Sequence, residues 1–382
     1  MWRYLAILGL FLVTVPVLSQ EGSQSAEFEA FLDRAAPRAA VPGLAYALLD
    51  NGEVRLGARG ERIAGSGQPV TEHTPFLLGS VSKSFTALAI MQLVEAGEVE
   101  LDQAIAHYLD VFDGQAGGAI TIRQLLSHTS GYSTLQGNQS HTDRTGEAGE
   151  LAARVRELAM IAPAGQAGHD WQYSNANYLI LGALIETVSG LEFGEYVETR
   201  ILVPLRMEDS FVADGAAHEA MAIGHTPWFG GRRPLADRRT SRVMAPAGGV
   251  VSSAADMALY LAMMVNGEDD LISAEHKAMM VQPASAASPF YGFGWFLDAD
   301  ADAAVHTGLS PGTETIAVLS RSGRRGGVVL VNANSGMGFG VTENILAGIR
   351  AFALGETPPD AGSYMGTKSL YLMLLILPVI FV

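Results

Sequence analysis

Apolar and polar positions change period several times along this chain. From Glu27 to Ala40, Phe28, Phe31, Leu32 and Ala35 recur at helical spacing, and Pro42-Gly43 ends the run. Gly43 to Leu49 and Glu53 to Gly60 flank Asp50-Asn51-Gly52, which predicts an antiparallel hairpin. Ser80 to Gly97 carries no charge between Lys83 and Glu95, which predicts a buried helix at the centre of the fold. From about Asp102 to Thr240 the pattern is mostly helices and loops, with helices over Ile120 to Ser127, Glu150 to Ala159, Tyr178 to Thr187 and Phe193 to Ile201. Strand patterning returns at Gly292 to Leu297, Thr313 to Ser320 and Gly327 to Asn332, and an amphipathic helix follows over Val341 to Phe352. Strands at both ends with a helical insert between them imply one mixed sheet whose ends meet in space.

Two further apolar runs flank this pattern. Leu5 to Leu18 follows Arg3 and precedes Ser19, with small residues placed for cleavage before Gln20, so residues 1–19 are expected to be an export signal. Leu370 to Val382 is apolar for 13 residues and follows a Pro/Gly linker over 355–369. As a helix it would cover roughly 20 Å, short of a hydrocarbon core of about 30 Å, so it reads as a shallow or truncated membrane segment. The globular domain is expected over 20–354, exported and held at the outer face of a membrane.

Composition narrows the chemistry. Apolar residues make up 48% of the 382 and charged residues 17%, which fits a globular domain and excludes a disordered or collagenous chain. A net charge of −16 argues against nucleic acid as a partner. The absence of Cys removes disulfides, thiolate nucleophiles and thiolate metal sites. The three lysines are Lys83, Lys277 and Lys368, against 21 arginines, so the choice of Lys at position 83 has a chemical meaning.

That lysine lies in Gly79-Ser80-Val81-Ser82-Lys83-Ser84-Phe85-Thr86, a Ser-x-x-Lys opening the buried helix. Residues three apart share a helix face, so the Ser80 hydroxyl and the Lys83 amine can touch. Serine is a poor nucleophile unless a neighbouring base takes its proton, and Lys is a base only where burial or a positive neighbour lowers its pKa. Arg could not substitute, because it does not deprotonate in proteins. A helix-capping Ser80 with a solvated Lys83 is the plain alternative. A cation in the first turn opposes the helix dipole, however, and the rest of the helix is apolar.

Phe76 to Thr86, Leu125-Leu126-Ser127-His128-Thr129-Ser130-Gly131, Tyr173-Ser174-Asn175, Pro246-Ala247-Gly248-Gly249 and His306-Thr307-Gly308 together resemble the beta-lactamase and penicillin-binding-protein-like serine hydrolases. In order and spacing they are most similar to the class C beta-lactamase, DD-peptidase and D-aminopeptidase branch, over about Glu27 to Leu354. The resemblance implies an α/β (α+β) serine beta-lactamase-like fold, an antiparallel sheet flanked by helices with a largely helical subdomain over about 102–240. It implies Ser80 as nucleophile, Lys83 as the proton acceptor beside it, and Tyr173 as the proton shuttle. Asn175, His306, Thr307 and Gly308 would line the substrate, and the backbone N–H groups of Ser80 and Leu309 would form the oxyanion hole. For Tyr173 to act as a base its pKa must fall, and a charged Lys83 is the neighbour that could lower it.

The chain departs from the family pattern at His306, where the family has Lys. A fixed cation is thereby exchanged for a group mostly neutral at pH 7, which puts affinity for a penicillin carboxylate in doubt and predicts that carboxylate binding improves as pH falls. His128, His169 and the run Asp298, Asp300, Asp302 do not have the spacing of a metal site, Asn138-Gln139-Ser140 is a formal glycosylation site, and no cofactor is expected. The expected function is hydrolysis through a Ser80 acyl-enzyme of an amide or peptide near a D-amino acid residue, of DD-carboxypeptidase or D-aminopeptidase type. A small-ester hydrolase and a class C-like beta-lactamase are the enzyme alternatives, and a penicillin-binding sensor that acylates without turnover is the non-enzyme one. The expected partner is a small-molecule or peptide substrate.

Overall fold

The computed structural model describes residues 18–138, 149–228, 231–334 and 342–358. Its strands are β1 (Gly43–Asp50), β2 (Glu53–Gly60), β3 (Phe76–Leu77), β4 (Phe211–Val212), β5 (His225–Trp228), β6 (Gly231–Pro234), β7 (Val250–Ser252), β8 (Phe296–Asp298), β9 (Ala303–Ser310), β10 (Thr313–Ser320) and β11 (Arg325–Val331). Its α-helices are α1 (Leu18–Arg38), α2 (Ser82–Glu95), α3 (Ile122–Leu126), α4 (Thr134–Asn138), α5 (Glu150–Ala159), α6 (Asn175–Ser189), α7 (Phe193–Val197), α8 (Ala245–Gly248), α9 (Ala254–Val265), α10 (Ala274–Met280) and α11 (Glu343–Leu354).

The main sheet has the order β2-β1-β11-β10-β9-β8 with antiparallel neighbours, so strands from the two ends of the domain lie side by side. Leu44 faces Val331 and Asp50 faces Arg325 across the β1–β11 seam. Both faces of this sheet are covered. Phe28 and Phe31 of α1 and Ile349 and Phe352 of α11 pack with Tyr46 and Val329 on one side. Phe85 of α2, Leu181 of α6 and Leu261 of α9 belong to the core on the other, with Ala45, Ala317 and Val328. This explains why β1 is an unbroken apolar run whereas β2, at the sheet edge, is largely exposed.

The hairpin β1–β2, the helix α5 and the strand β10 fall where the pattern put them. Other boundaries move for local reasons. The expected helix at Ser80 opens with a 3₁₀ turn over Gly79–Val81 before α2 begins. The strand expected over Gly292 to Leu297 shrinks to Phe296–Asp298, because Gly294 takes a left-handed conformation (φ 78°) that breaks the run. Within 102–240 the structure adds β4, β5 and β6 to the helices, the last two forming a hairpin. Residues 5–17 of the first apolar run, the whole run from Leu370 to Val382 and most of the linker lie outside the described residues. Among the described residues no helix is long and apolar enough to cross a membrane.

Candidate active site

Ser80 is the middle residue of the 3₁₀ turn that leads into α2, and the sequence makes two close approaches there that only glycine permits. A Cβ on Gly308 would stand 1.9 Å from the Leu78 carbonyl oxygen and 2.3 Å from Thr315 Oγ1, so β9 can lie directly against the chain entering α2. Thr315 Oγ1 donates to that same carbonyl at 2.7 Å. At Gly79 (φ 55°) a Cβ would stand 2.9 Å from the Leu309 nitrogen. The two expected oxyanion donors, Ser80 N–H and Leu309 N–H, therefore belong to adjoining segments. β9 and β10 are joined by a two-residue turn that closes the Ser310–Thr313 pair, so the next pair, Leu309–Glu314, is a non-hydrogen-bonded one. The Leu309 N–H consequently points away from β10. β8 pairs with β9 only as far as Val305, which leaves that edge uncovered beside Ser80.

Lys83 is completely buried. Its Nζ lies 3.2 Å from Ser80 Oγ, 2.8 Å from Asn175 Oδ1 and 2.6 Å from the Ala247 carbonyl oxygen. Burial drives its pKa well below the usual lysine range. A neutral amine has two N–H bonds and one lone pair. The N–H bonds match the Asn175 and Ala247 oxygens, and the lone pair is left for the Ser80 proton. The ammonium formed by accepting that proton would face the rings of Tyr173 and Tyr178, whose centroids lie 4.9 and 5.5 Å from Nζ.

Tyr173 hydrogen-bonds Ser80 through its hydroxyl. The expectation that Lys83 lowers the Tyr173 pKa is not met: burial raises it, and the hydrogen bond to Ser80 only partly opposes the rise. The physical reason is that Lys83, itself pushed toward the neutral form by burial, is not a standing cation. Tyr173 thus rests as a phenol able to donate a proton, beside an amine able to accept one. Asn175, the first residue of α6, is held in turn by Asn138, Nδ2 donating to Oδ1 at 3.2 Å.

The segment carrying Tyr173 is cradled by the Leu125–Gly131 motif. His128 has a left-handed backbone (φ 60°), uncommon for a non-glycine residue. Its carbonyl accepts from Gln172 N at 2.9 Å, and its Nδ1 accepts from Ser174 N at 3.2 Å and from Asn177 Nδ2 at 3.0 Å. The ring lies 4.4 Å from that of Tyr173, centroid to centroid. His128, which the sequence offers only as a member of the Leu125–Gly131 motif, therefore grips both flanks of Tyr173.

His306 departs from expectation. It is buried at 1% exposure, with Nδ1 2.8 Å from the Thr307 carbonyl oxygen and Nε2 3.1 Å from the Tyr291 hydroxyl. Nδ1–H donates to the carbonyl and the Tyr291 hydroxyl donates to Nε2, which fixes a neutral tautomer. Burial, and secondarily Lys83, lowers its pKa to about 3. The imidazole faces Tyr291, Phe296 and Tyr173 and supplies no cation to a substrate near neutral pH. Tyr291 carried no sequence signal. Thr307, next on β9, is exposed.

A cavity of about 120 Å³ opens at Ser80, lined among others by Asn175, Arg239, Gly248 and Leu309. A second of about 70 Å³ continues past Arg239 to Met221 and Leu235. A wider cavity of about 520 Å³ lies elsewhere, beside Glu186, Glu198 and Asp214. There Glu186 and Glu198 already accept from backbone N–H groups of Phe193 and Val212. His169 pairs with Asp170, Asp298 with Arg350, and Asp302 holds Ser322 N. Among the described residues no group of three or more such side chains could hold a metal ion.

Comparison with known proteins adds a lineage to this geometry. The family described as Beta-lactamase matches residues 28–351. Protein flp of Staphylococcus aureus is 26% identical over 305 residues, which is 77% of this chain and 60% of its own length, so this chain spans about three fifths of that relative. Penicillin-binding protein 4 of Amycolatopsis lactamdurans is 30% identical over 279 residues, 67% of this chain and 70% of that one. Among solved structures, a D-stereospecific amidohydrolase from Streptomyces superposes with a TM-score of 0.63 at 25% identity, covering 80% of this chain and 94% of that one.

Proposed function

The chain belongs to the Beta-lactamase family and is a serine hydrolase of that fold, and from this premise we propose that it cleaves an amide bond beside a D-amino acid residue through an acyl-enzyme on Ser80. The observation that carries the reading is the contact set around Lys83. A buried, neutral amine 3.2 Å from Ser80 Oγ can take the serine proton as the oxygen bonds to the acyl carbon. The Ser80 and Leu309 N–H groups stabilise the resulting oxyanion. Tyr173 gives its proton to the leaving nitrogen as the carbon–nitrogen bond breaks, and the proton held by Lys83 restores the phenol. Water then adds to the ester by the same proton route in reverse, releasing the acid and regenerating Ser80.

Likeness to a D-stereospecific amidohydrolase supports the D-amino acid specificity, and the neutral His306 speaks against strong recognition of a penicillin carboxylate. The apolar runs near both ends support placement at the outer face of a membrane, which cell fractionation tests. The activity is tested by comparing kcat/KM on a D-aminoacyl amide, a D-Ala-D-Ala peptide, a short p-nitrophenyl ester and a cephalosporin. The D-amino acid substrates should be cleaved fastest, and Ser80→Ala should abolish both turnover and fluorophosphonate labelling. Labelling that survives in the Ser80→Ala protein would move the nucleophile elsewhere, and a stoichiometric burst without turnover would make the protein a sensor.

A further inference from the structure

The cavity at Ser80 lies on the acyl side of the scissile bond. The leaving group must sit near Tyr173 to receive its proton, yet neither Tyr173 nor Thr307 is among the described residues lining this cavity. Its wall follows the other direction of β9, from Leu309 through Ser310 to Pro311, and is completed by Arg239 to Ser241 and Met244. Among the described residues of that wall Arg239 is the one with a fixed positive charge, and it also lines the adjoining cavity, with Asp237, Arg238 and the apolar Met221, Ile223 and Leu235. The charge that His306 does not provide is thus present on the opposite side of the bond.

Arg239 pairs with Asp237, at 3.1 Å between Nη2 and Oδ2 and 3.2 Å between Nε and Oδ1. Both side chains are well exposed, at 56% and 44%. An exposed pair between residues two apart is held weakly and can exchange its carboxylate for another. The guanidinium fork matches a carboxylate in two-point contact.

Resting on the hydrolase reading, we infer that Arg239 selects acyl donors bearing a carboxylate on the acyl chain, so that the substrate's anionic group lies on the acyl side of the scissile bond and not on its leaving group. The specificity of this enzyme is then for an acidic acyl chain.

Three p-nitrophenyl esters of equal chain length test this: the hydrogen adipate (anionic), the hexanoate (neutral) and the 6-aminohexanoate (cationic). The wild-type protein should prefer the adipate over the hexanoate in kcat/KM, with the aminohexanoate slowest. Arg239→Gln should reduce the adipate-to-hexanoate ratio about 1.5- to fivefold, the range for an exposed ion pair. Arg239→Lys should recover part of it, and Asp237→Asn, which removes the competing carboxylate, should raise it. Equal losses on adipate and hexanoate, with the ratio unchanged, would overturn the inference and leave Arg239 a structural residue. Calorimetric binding of adipate gives a readout independent of turnover, and its affinity should fall in Arg239→Gln. If no ester is hydrolysed but adipate binding still depends on Arg239, the hydrolase reading fails, and with it the selection of acyl donors, while the Arg239 carboxylate contact stands. If adipate binds both proteins equally, the inference fails.

Discussion

The Lys83 amine lies 2.6 Å from the carbonyl oxygen of Ala247, a residue 164 positions away on α8. This contact uses one N–H of the amine, and Asn175 Oδ1 uses another. The nitrogen is thereby oriented with its remaining valence toward Ser80, at the end of an α2 whose interior offers no carboxylate to keep the amine charged.

Lys83→Arg should lower the acylation rate by about 10²- to 10⁴-fold, the contribution of one general base, because the guanidinium is a fixed cation with no lone pair to take the Ser80 proton. Stopped-flow release of p-nitrophenol under single-turnover conditions measures it. The wild-type rate should hold as pH falls toward neutrality and decline only below the lowered Lys83 pKa, since the base form persists above that value. An Arg variant of near-native rate would make Lys83 an electrostatic group only.

Tyr173→Phe removes the phenolic proton and leaves the ring packed against His128 and Phe296. Acylation of amides and deacylation should both slow by about 10²- to 10⁴-fold, with the thermal midpoint unchanged within a degree or two. Pre-steady-state kinetics separate the two steps. A loss below about tenfold, beneath that range, would place the shuttle on another residue.

Much of this site was legible in the sequence because its chemistry rests on short local spacings. Ser80 and Lys83 are one helical turn apart, and Tyr173 and Asn175 flank the start of α6. The hairpin β1–β2 was equally plain, with Asn51 and Gly52 both in left-handed conformations at its turn. What periodicity could not give is set by contacts across long separations. Ala247 reaches Lys83 through a backbone carbonyl, which has no residue signature. Tyr291 meets His306 because the chain turns at Gly294 and brings the loop before β8 under β9. The protonation states follow from that burial: it makes Lys83 the base that the sequence reading asks for, but raises the Tyr173 pKa that a charged Lys83 was expected to lower and keeps His306 from titrating near neutrality.

Gly308→Ala should be damaging on both counts that matter for an oxyanion donor. Its Cβ would meet the Leu78 carbonyl and Thr315 Oγ1 well inside contact distance, so β9 must move away from the 3₁₀ turn that carries Ser80. A displacement of about 1 Å can cost about 100-fold in rate. The expected outcome is at least that loss in kcat with a lowered thermal midpoint. Gly231→Ala, where φ is not left-handed and a Cβ meets nothing closer than the Trp228 carbonyl oxygen at 3.6 Å, serves as the reference for a glycine replaced without a clash.

The final expectation concerns His306 and acid. Its folded pKa of about 3 lies below the unfolded value near 6.5, so between those values the unfolded chain binds a proton that the native protein does not. Stability from this group is complete above about pH 6.5 and is lost as pH falls, by about 1.4 kcal/mol per unit. His306→Gln removes the titration and can still accept from the Tyr291 hydroxyl through its side-chain carbonyl. Between pH 7 and pH 5 the wild-type protein should therefore lose about 2 kcal/mol more than the variant, read from urea midpoints and slopes at the two pH values. Comparing the two proteins isolates this group from His128, whose pKa burial also depresses. In the same pH range, binding of substrates with and without a carboxylate on the leaving group should show no component that disappears in His306→Gln. Equal acid sensitivity of the two proteins would mean that the imidazole is charged in the folded state, and would return His306 to the role of substrate cation.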